Sequence, residues 1–278
     1  MSTIIYPSPI FGPVHSRRLG ISLGINLLPA DGKVCSFNGV YCECGFNEAH
    51  RPHLPLPSRQ QVADRLEERL RQMQADGQLP DVLTFAGNGE PTSHPHFADI
   101  IRDTIRLRDC YCPKAKVSVL SNSTMIHRPE VHEALLLVDN NILKLDTVDP
   151  IYINKVDQPN VAYDVARVIE QMKSFDGHLI IQSMFMRGTI AVNGQSSMVN
   201  GQRSTFNVQR STFNVDNTGD EYVAPWLEAV VAIRPEQVMV YTIDRETPAH
   251  GLLKATREQL DSIRDRVIAA GIPCTASY

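Results

Sequence analysis

The sequence predicts an α/β protein built on a parallel β-sheet. Three observations carry this reading. Short apolar runs alternate with amphipathic helical patterns, polar residues gather where those runs end, and the composition is that of a folded domain. Of 278 residues, 42% are hydrophobic and 21% charged, which excludes disordered and collagen-like chains. Lys and Arg number 27 against 31 Asp and Glu, a net charge of −4. That balance does not suit a chain that coats nucleic acid or an anionic membrane. Length over roughly 150 residues per domain gives about two, yet α/β folds of this size are common as one domain. Residues 1–278 are read as a single domain with a low-complexity loop insertion at about 188–219.

The elements follow in order. Leu19 to Leu28 is a first strand candidate, followed by a polar loop. Ser58-Arg59-Gln60-Gln61 reads as a capping box. Val62, Leu66, Leu70 and Met73 then make one apolar stripe, so a helix runs to about Gly77. Val82 to Ala86 is a buried-strand run ending at glycine. His94-Pro95 opens a helix through Ile100, Ile101 and Ile105. Val117 to Leu120 is the next strand, and Pro129 starts a helix holding Leu135 to Val138. Ile142 to Asp146 is a strand, followed after Pro159 by a helix with Val161, Val165, Val168, Ile169 and Met172. Leu179 to Phe185 is a strand. The helix near Trp226 buries Val223, Leu227, Val230 and Val231. Val238 to Ile243 is a strand, and Thr256 caps a last helix with Leu260, Ile263 and Val267. Strand then helix, five or six times over, means right-handed crossovers and a parallel sheet. Sites in such folds lie at the carboxyl ends of the strands. Here those ends carry Gly87-Asn88-Gly89-Glu90, Ser121-Asn122, Lys144 with Asp146, and Thr242 with Asp244.

No run approaches ~18 consecutive apolar residues, so no membrane-spanning helix is expected. Residues 1–16 hold three prolines and no apolar core of a signal peptide. The expected compartment is therefore the reducing cytoplasm, with no membrane partner. Within the insertion, Gln202 to Val208 is repeated at once as Gln209 to Val215. Two copies cannot build a solenoid; they read as a tandem insertion in a surface loop, a lid over the strand ends, or a small hairpin.

Six cysteines in such a chain ask for metal or reactive-thiol roles rather than a disulfide framework. Cys35, Cys42 and Cys44 lie within ten residues in the loop after the first strand. Clustered thiols suit zinc or an iron–sulfur cluster, and His50 and His53 downstream keep a zinc site open. Cys110, Cys112 and Cys274 lack neighbouring ligands and read as incidental.

At these residues the chain resembles a known family. Phe11 to Ile25 with the cysteine loop is similar to the start of a bacterial group of radical SAM proteins, itself distantly similar to wybutosine tRNA-modification synthases. Members space their cysteines C-x3-C-x2-C with an aromatic residue before the last; Cys35, Tyr41 and Cys42 match. Gly87-Asn88-Gly89-Glu90-Pro91-Thr92 resembles the motif that holds the amino group of S-adenosylmethionine. Ser121-Asn122, Leu143 to Asp146 and Tyr241 to Arg245 resemble family strand ends. The resemblance implies a partial (β/α)6 barrel, a 4Fe–4S cluster on three thiolates, S-adenosylmethionine on the fourth iron, and a 5′-deoxyadenosyl radical that abstracts hydrogen. It also implies a reductant such as flavodoxin or ferredoxin. The cofactors carry the chemistry, and the protein supplies placement and exclusion of water.

The middle cysteine position is Gly39, which has no ligating side chain. Three readings stand. Cys44 supplies the third thiolate, since residues i and i+2 of an extended chain sit ~6.6 Å apart at about 3.3 Å per residue. The chain is a degenerate homologue without a stable cluster. Or position 39 is a single-base change from cysteine. The metal-ligand candidates are thus Cys35, Cys42 and Cys44; the cofactor-contact candidates are Tyr41, Gly87, Asn88, Gly89, Glu90, Asn122, Lys144, Asp146 and Gln182.

Each has a plainer role beside it. Glu90 could cap the next helix, the glycines could only turn the chain, and Asn122 could be a turn residue. Lys144 and Asp146 could be an internal ion pair, and Gln182 could share the core with Met184. Arg17 and Arg18 read as a solvated pair or an anion contact. No P-loop, dinucleotide fingerprint, nucleophile elbow or H-E-x-x-H is present. The expected function is radical hydrogen abstraction, an oxidoreductase chemistry, on an unidentified substrate. Distant tRNA kinship suggests RNA; the acidic balance argues against it. The alternatives are a non-catalytic relic and a structural zinc protein.

Overall fold

The computed structural model describes residues 3–16, 20–192, 198–199, 202–203 and 211–278. Arg17, Arg18 and half of the tandem repeat (204–210) lie outside the described residues. One eight-stranded sheet forms the frame. Its strands are β1 (Ile10–Ser16), β2 (Gly20–Ile25), β3 (Val82–Phe85), β4 (Lys116–Ser121), β5 (Asn140–Lys144), β6 (Ile180–Met184), β11 (Gln237–Tyr241) and β13 (Cys274–Ser277), in that spatial order. From β2 to β13 every neighbouring pair is parallel, while β1 joins β2 as an antiparallel edge.

Helices α1 (Arg59–Ala75), α2 (Phe97–Tyr111), α3 (Pro129–Leu135), α4 (Pro150–Val156), α5 (Val165–Lys173), α6 (Asp220–Ile233) and α7 (Arg257–Ala269) fill the connections. The capping boxes at Ser58 and Thr256 both form. The predicted stripe of α1 (Val62, Leu66, Leu70 and Met73) is buried. It joins Phe85, Phe97 and Trp226 in one core between sheet and helices. Trp226 Nε1 donates to Leu145 O (2.9 Å) and Ser183 Oγ (3.1 Å), pinning α6 to the ends of β5 and β6.

The structure departs from the expectations in six places. The helix begun at Pro129 ends at Leu135, short of Val138. In α6 the buried face is Val223, Trp226, Val230 and Ile233, while Leu227 is half-buried and Val231 exposed. The helix placed after Pro159 begins only at Val165, because Asp164 caps it there by accepting from Ala166 and Arg167. Before it stands α4, which the apolar periodicity passed over. Its signal was local: Asp149 accepts from Ile151 and Tyr152, and Pro150 takes the first turn, where no N–H is needed. Strands β1 and β13 were not foreseen, being edge strands with half-exposed faces. The insertion is also not uniformly loop. Strand β7 (Met186–Val192) pairs antiparallel with β10 (Ser211–Asn214), part of the second repeat copy, and with β12 (Leu252–Lys254). The two-residue strands β8 (Met198–Val199) and β9 (Gln202–Arg203) pair between them. Phe213 and buried Val215 belong to a second apolar cluster with Val40, Tyr41, Tyr152 and Ile190. The repeat's alternation of β-branched and aromatic residues serves that strand.

Side chains from all eight strands of the main sheet, Phe11 of β1 and Ser277 of β13 among them, line a single cavity of about 580 Å³. The sheet therefore wraps around an interior while its edge strands stay unpaired to each other, as an open, partial barrel does. No helix among the described residues is long and apolar enough to cross a membrane.

Candidate functional site

The cysteine loop follows β2 and folds over the carboxyl ends of the parallel strands. It is joined directly to the glycine-rich bend after β3. Val34 N donates to Asn88 O (2.9 Å), and Glu90 N donates to Val34 O (3.2 Å). This contact needs glycine at position 89: its φ is +139°, and a Cβ there would stand 1.8 Å from Val34 O. The Cys44 thiol reaches Gly87 O at 3.3 Å. Sequence separation of more than forty residues thus closes into one bend-on-loop contact.

The thiols sit in contrasting surroundings. Cys42 and Cys44 are hydrogen-bonded to each other, and the side chain of Lys33 reaches Cys42. Lys33 is itself buried, with Nζ on Gly45 O at 2.6 Å. The Cys44 hydrogen bond and the Lys33 charge hold Cys42 down at about 5, against the cost of burial. Cys44 is pushed the other way by the same hydrogen bond and by burial. Burial pushes Cys35 up to about 12, with Lys33 opposing it and Cys42 and Glu90 adding to it. Asn122 Nδ2 lies 3.5 Å from Cys35 Sγ and 2.9 Å from Ser36 Oγ. Cys42 and Cys44 line the 580 Å³ cavity, whereas Cys35 lines a second one of about 380 Å³ with Asn38, Asn47 and Arg51.

Position 39 is conformationally ordinary. Gly39 is absent from the glycines with positive φ, and a Cβ built on it would find Tyr41 ring atoms at 3.4 and 3.6 Å, normal contact. Gly39 O accepts from Cys42 N at 3.1 Å, so the turn between the middle and last cysteine positions of the spacing closes without a side chain at 39.

Among the remaining expected contacts, Tyr41, Gly87 and Gln182 line the large cavity. The others answer partners within the protein. Asn88 is fully buried, its amide bound to Tyr6 N, Tyr6 O and Pro29 O, so its side chain staples the N-terminal segment to the bend. Glu90 caps the short turn at 91–93 by accepting from Thr92 N (3.0 Å), the helix-cap role weighed above, and its second oxygen accepts from Asn122 N (2.6 Å). Burial raises its pKa while these donors pull it down. Lys144 Nζ is 2.8 Å from Asp146 Oδ2, the internal ion pair. Burial opposes the Lys144 ammonium, but Asp146, with Tyr241 and Asp157, outweighs it and raises its pKa.

The zinc set is not assembled. No group of three His, Cys, Asp or Glu among the described residues is placed to hold one metal ion. His50 Nε2 bonds Thr3 Oγ1 at 2.6 Å, and His53 is exposed. Two groups escaped the sequence reading. Lys33 and Asp157 carry no motif. Arg245, the last residue of the Tyr241–Arg245 stretch that resembles a family strand end, spans the cavity mouth to Glu43 (2.6 Å) and Tyr6 Oη (3.1 Å).

No family model matches the chain. A "UPF0026 protein" of Helicobacter pylori is 31% identical over 186 residues, 64% of this chain and 56% of that one. The chain thus spans little more than half the length of that relative. Among solved structures, a radical SAM methyltransferase from Sphaerobacter thermophilus superposes with a TM-score of 0.61 at 13% identity, covering 92% of this chain and 66% of that one. Streptococcus suis SuiB, solved bound to S-adenosylmethionine, gives 0.59 at 14% identity over 89% of this chain and 49% of SuiB. This is the radical SAM fold. Within that fold the thiol loop after β2 and the bend after β3 meet at the carboxyl ends of the strands, beside the cavity that the sheet encloses.

Proposed function

We propose that this chain is a radical SAM enzyme that binds a 4Fe–4S cluster and S-adenosylmethionine at the thiol loop. One observation carries the reading. The loop with Cys35, Cys42 and Cys44 is hydrogen-bonded through Val34 to the Gly87–Glu90 bend at the rim of the 580 Å³ cavity. The donor set fits the group in kind and partly in place: three soft thiols lie in one loop, and Cys42 and Cys44 share the large cavity, with Cys42 favouring thiolate beside a buried lysine, while Cys35 lines the neighbouring cavity. Cys35, Cys42 and Cys44 would hold the cluster, with Cys44 in place of the missing thiol at position 39. When bound, the cluster supplies the electron that cleaves the sulfonium ligand. Gly87 and Gln182 line the space for that ligand, which at about 580 Å³ falls within the range of small-molecule sites.

The same walls favour a substrate without phosphates. Arg245 at the mouth is held by Glu43, and Asp244 there is 3.5 Å from Lys254. The interior beyond them is mixed, with Leu120, Ile142, Met184 and Met239 beside Ser22, Thr84 and Gln182. SuiB has been solved bound to its precursor peptide; a peptide side chain suits this lining better than RNA. Salt-independent binding of peptide with no salt-dependent binding of RNA is the expected pattern.

Anaerobic reconstitution with iron and sulfide, followed by metal analysis and a test for 5′-deoxyadenosine under strong reductant, decides the main reading. It fails if the protein binds no more iron than a Cys35→Ser, Cys42→Ser, Cys44→Ser triple variant. A second reading, a relic without a cluster, is favoured by Gly39. It predicts S-adenosylmethionine binding that is the same with and without iron.

A further inference from the structure

Behind the cavity wall lies a buried set of ionisable groups that the proposed chemistry does not use. Tyr41 Oη is 2.9 Å from Asp146 Oδ2 and 2.5 Å from Asp157 Oδ1. All three residues are more than nine-tenths buried. A phenol carries one proton, so it cannot donate to two ionised carboxylates. With both charged, one carboxylate oxygen would face the lone pairs of Oη at hydrogen-bonding distance, which a buried site does not tolerate.

The two carboxylates are not equivalent. Asp146 has Lys144 Nζ at 2.8 Å and Met184 N at 2.8 Å. Asp157, at the end of α4, meets Tyr41 and Asp146. Two potential negative charges thus share one ammonium. The other groups that face the pair are the phenols of Tyr152, Tyr163 and Tyr241. Burial raises the Tyr152 and Tyr163 phenols, and the Asp146 and Asp157 charges raise them further, so neither supplies a counter-charge. Tyr241 Oη instead takes Lys144 Nζ at 3.2 Å.

We propose that Asp146 and Asp157 share one proton at neutral pH, held on Asp157, and that this proton positions Tyr41. Asp157 Oδ1–H donates to Tyr41 Oη, and Tyr41 Oη–H donates to Asp146 Oδ2, whose charge Lys144 balances. Each of the two contacts of Tyr41 Oη then has one proton between its oxygens. Asp157 is a positioning residue. It acts through Tyr41, which lines the cavity and directly precedes Cys42. Burial and the Asp146 charge push Asp157 up to about 7, against Lys144, so the tether of this wall responds to pH near neutrality. The inference stands whether or not the thiols bind a cluster.

The test uses the full chain without added metal, labelled at the aspartate carboxyl carbons and followed by NMR from acid to mildly alkaline pH. One aspartate, identified by its loss in Asp157→Asn, titrates near 7 instead of in the usual carboxylate range. The Tyr41 ring signals shift with the same midpoint, and Asp157→Asn removes that ring titration, which a merely structural residue would not govern. An Asp157 carboxyl already ionised at mildly acidic pH, or a Tyr41 ring indifferent to it, overturns the proposal. Should the variant not fold, the wild type alone decides. Its infrared spectrum contains a protonated-carboxyl band that disappears as pH rises through neutrality, and absence of that band refutes the shared proton.

Discussion

Gly39→Cys is the most informative single change, because the structure fixes its cost in advance. Many glycines in turns resist substitution because their φ is positive or because another chain segment lies against the α-carbon. Gly39 meets neither condition: its φ lies outside the left-handed region, and the nearest atoms to a built Cβ are Tyr41 ring carbons at 3.4 and 3.6 Å. Replacing glycine at such a site reduces the freedom of the unfolded chain and stabilises by about 0.4–1 kcal/mol. A buried thiol adds apolar contact with Tyr41 and requires no charged partner. The expected change in unfolding free energy, measured by denaturant titration of metal-free protein, therefore lies between zero and a gain of about 1 kcal/mol. A loss above about 2 kcal/mol would mean that the site cannot accept a side chain, and the argument that position 39 is a vacant ligand position would fail with it. The second readout is metal. If Gly39 limits cluster binding, the variant retains more iron and sulfide after anaerobic desalting than the parent. If Cys44 already serves as third ligand, the two retain equal amounts and Cys44→Ser separates them, abolishing retention in the parent and sparing it in Gly39→Cys.

Two further changes probe the frame. Gly89→Ala drives a methyl group to 1.8 Å from Val34 O at a φ of +139°. Strain of about 1–3 kcal/mol and about 1 kcal/mol for each bridging hydrogen bond should destabilise the fold by at least about 3 kcal/mol in the same titration. Asp157→Asn should alter how stability depends on pH. A carboxyl raised in the fold binds its proton more tightly there than in the unfolded chain. Its contribution is thus fully present below the unfolded pKa and lost as pH rises through the folded one. The step from the ordinary 3.8 to about 7 bounds that loss at about 4 kcal/mol. The asparagine variant lacks it, so its stability relative to the parent improves between acid and neutral pH. A constant difference across that window would contradict the assignment.

Much of the frame was legible in the sequence because burial leaves a period. Strands covered on both faces read as continuous apolar runs, as Val82–Phe85 does, and α1 and α7 announced themselves through capping boxes and one apolar stripe. The elements that escaped have weaker burial. Strand β13 is no more than partly buried along its length, and α4 is one short amphipathic stretch set by Asp149 and Pro150 instead of by periodicity. The repeat misled for a related reason. Duplicated polar sequence reads as surface loop, yet its second copy found an antiparallel partner in β7 and a buried seat for Val215.

At the site the division is sharper. Residue types named the thiol loop and the Gly87–Glu90 bend, and tertiary contact brings them together. What spacing could not supply is the difference between a side chain that faces the cavity and one that holds its wall. Asn88 and Glu90 belong to the same bend as Gly87, but their polar atoms turn inward to Tyr6, Pro29, Thr92 and Asn122. Lys144 and Asp146 likewise support Tyr41 and Tyr241 from behind. A buried polar group must find its partners within the protein. Motif residues that look like ligand contacts in sequence are therefore often committed to the wall, and the space they enclose is lined instead by the residues they orient. By that logic Tyr41 is the residue to follow. It is fixed from one side by the Asp146–Asp157 pair, presents its other side to the cavity, and is covalently linked to Cys42, so a change at any of the three should be visible in its ring.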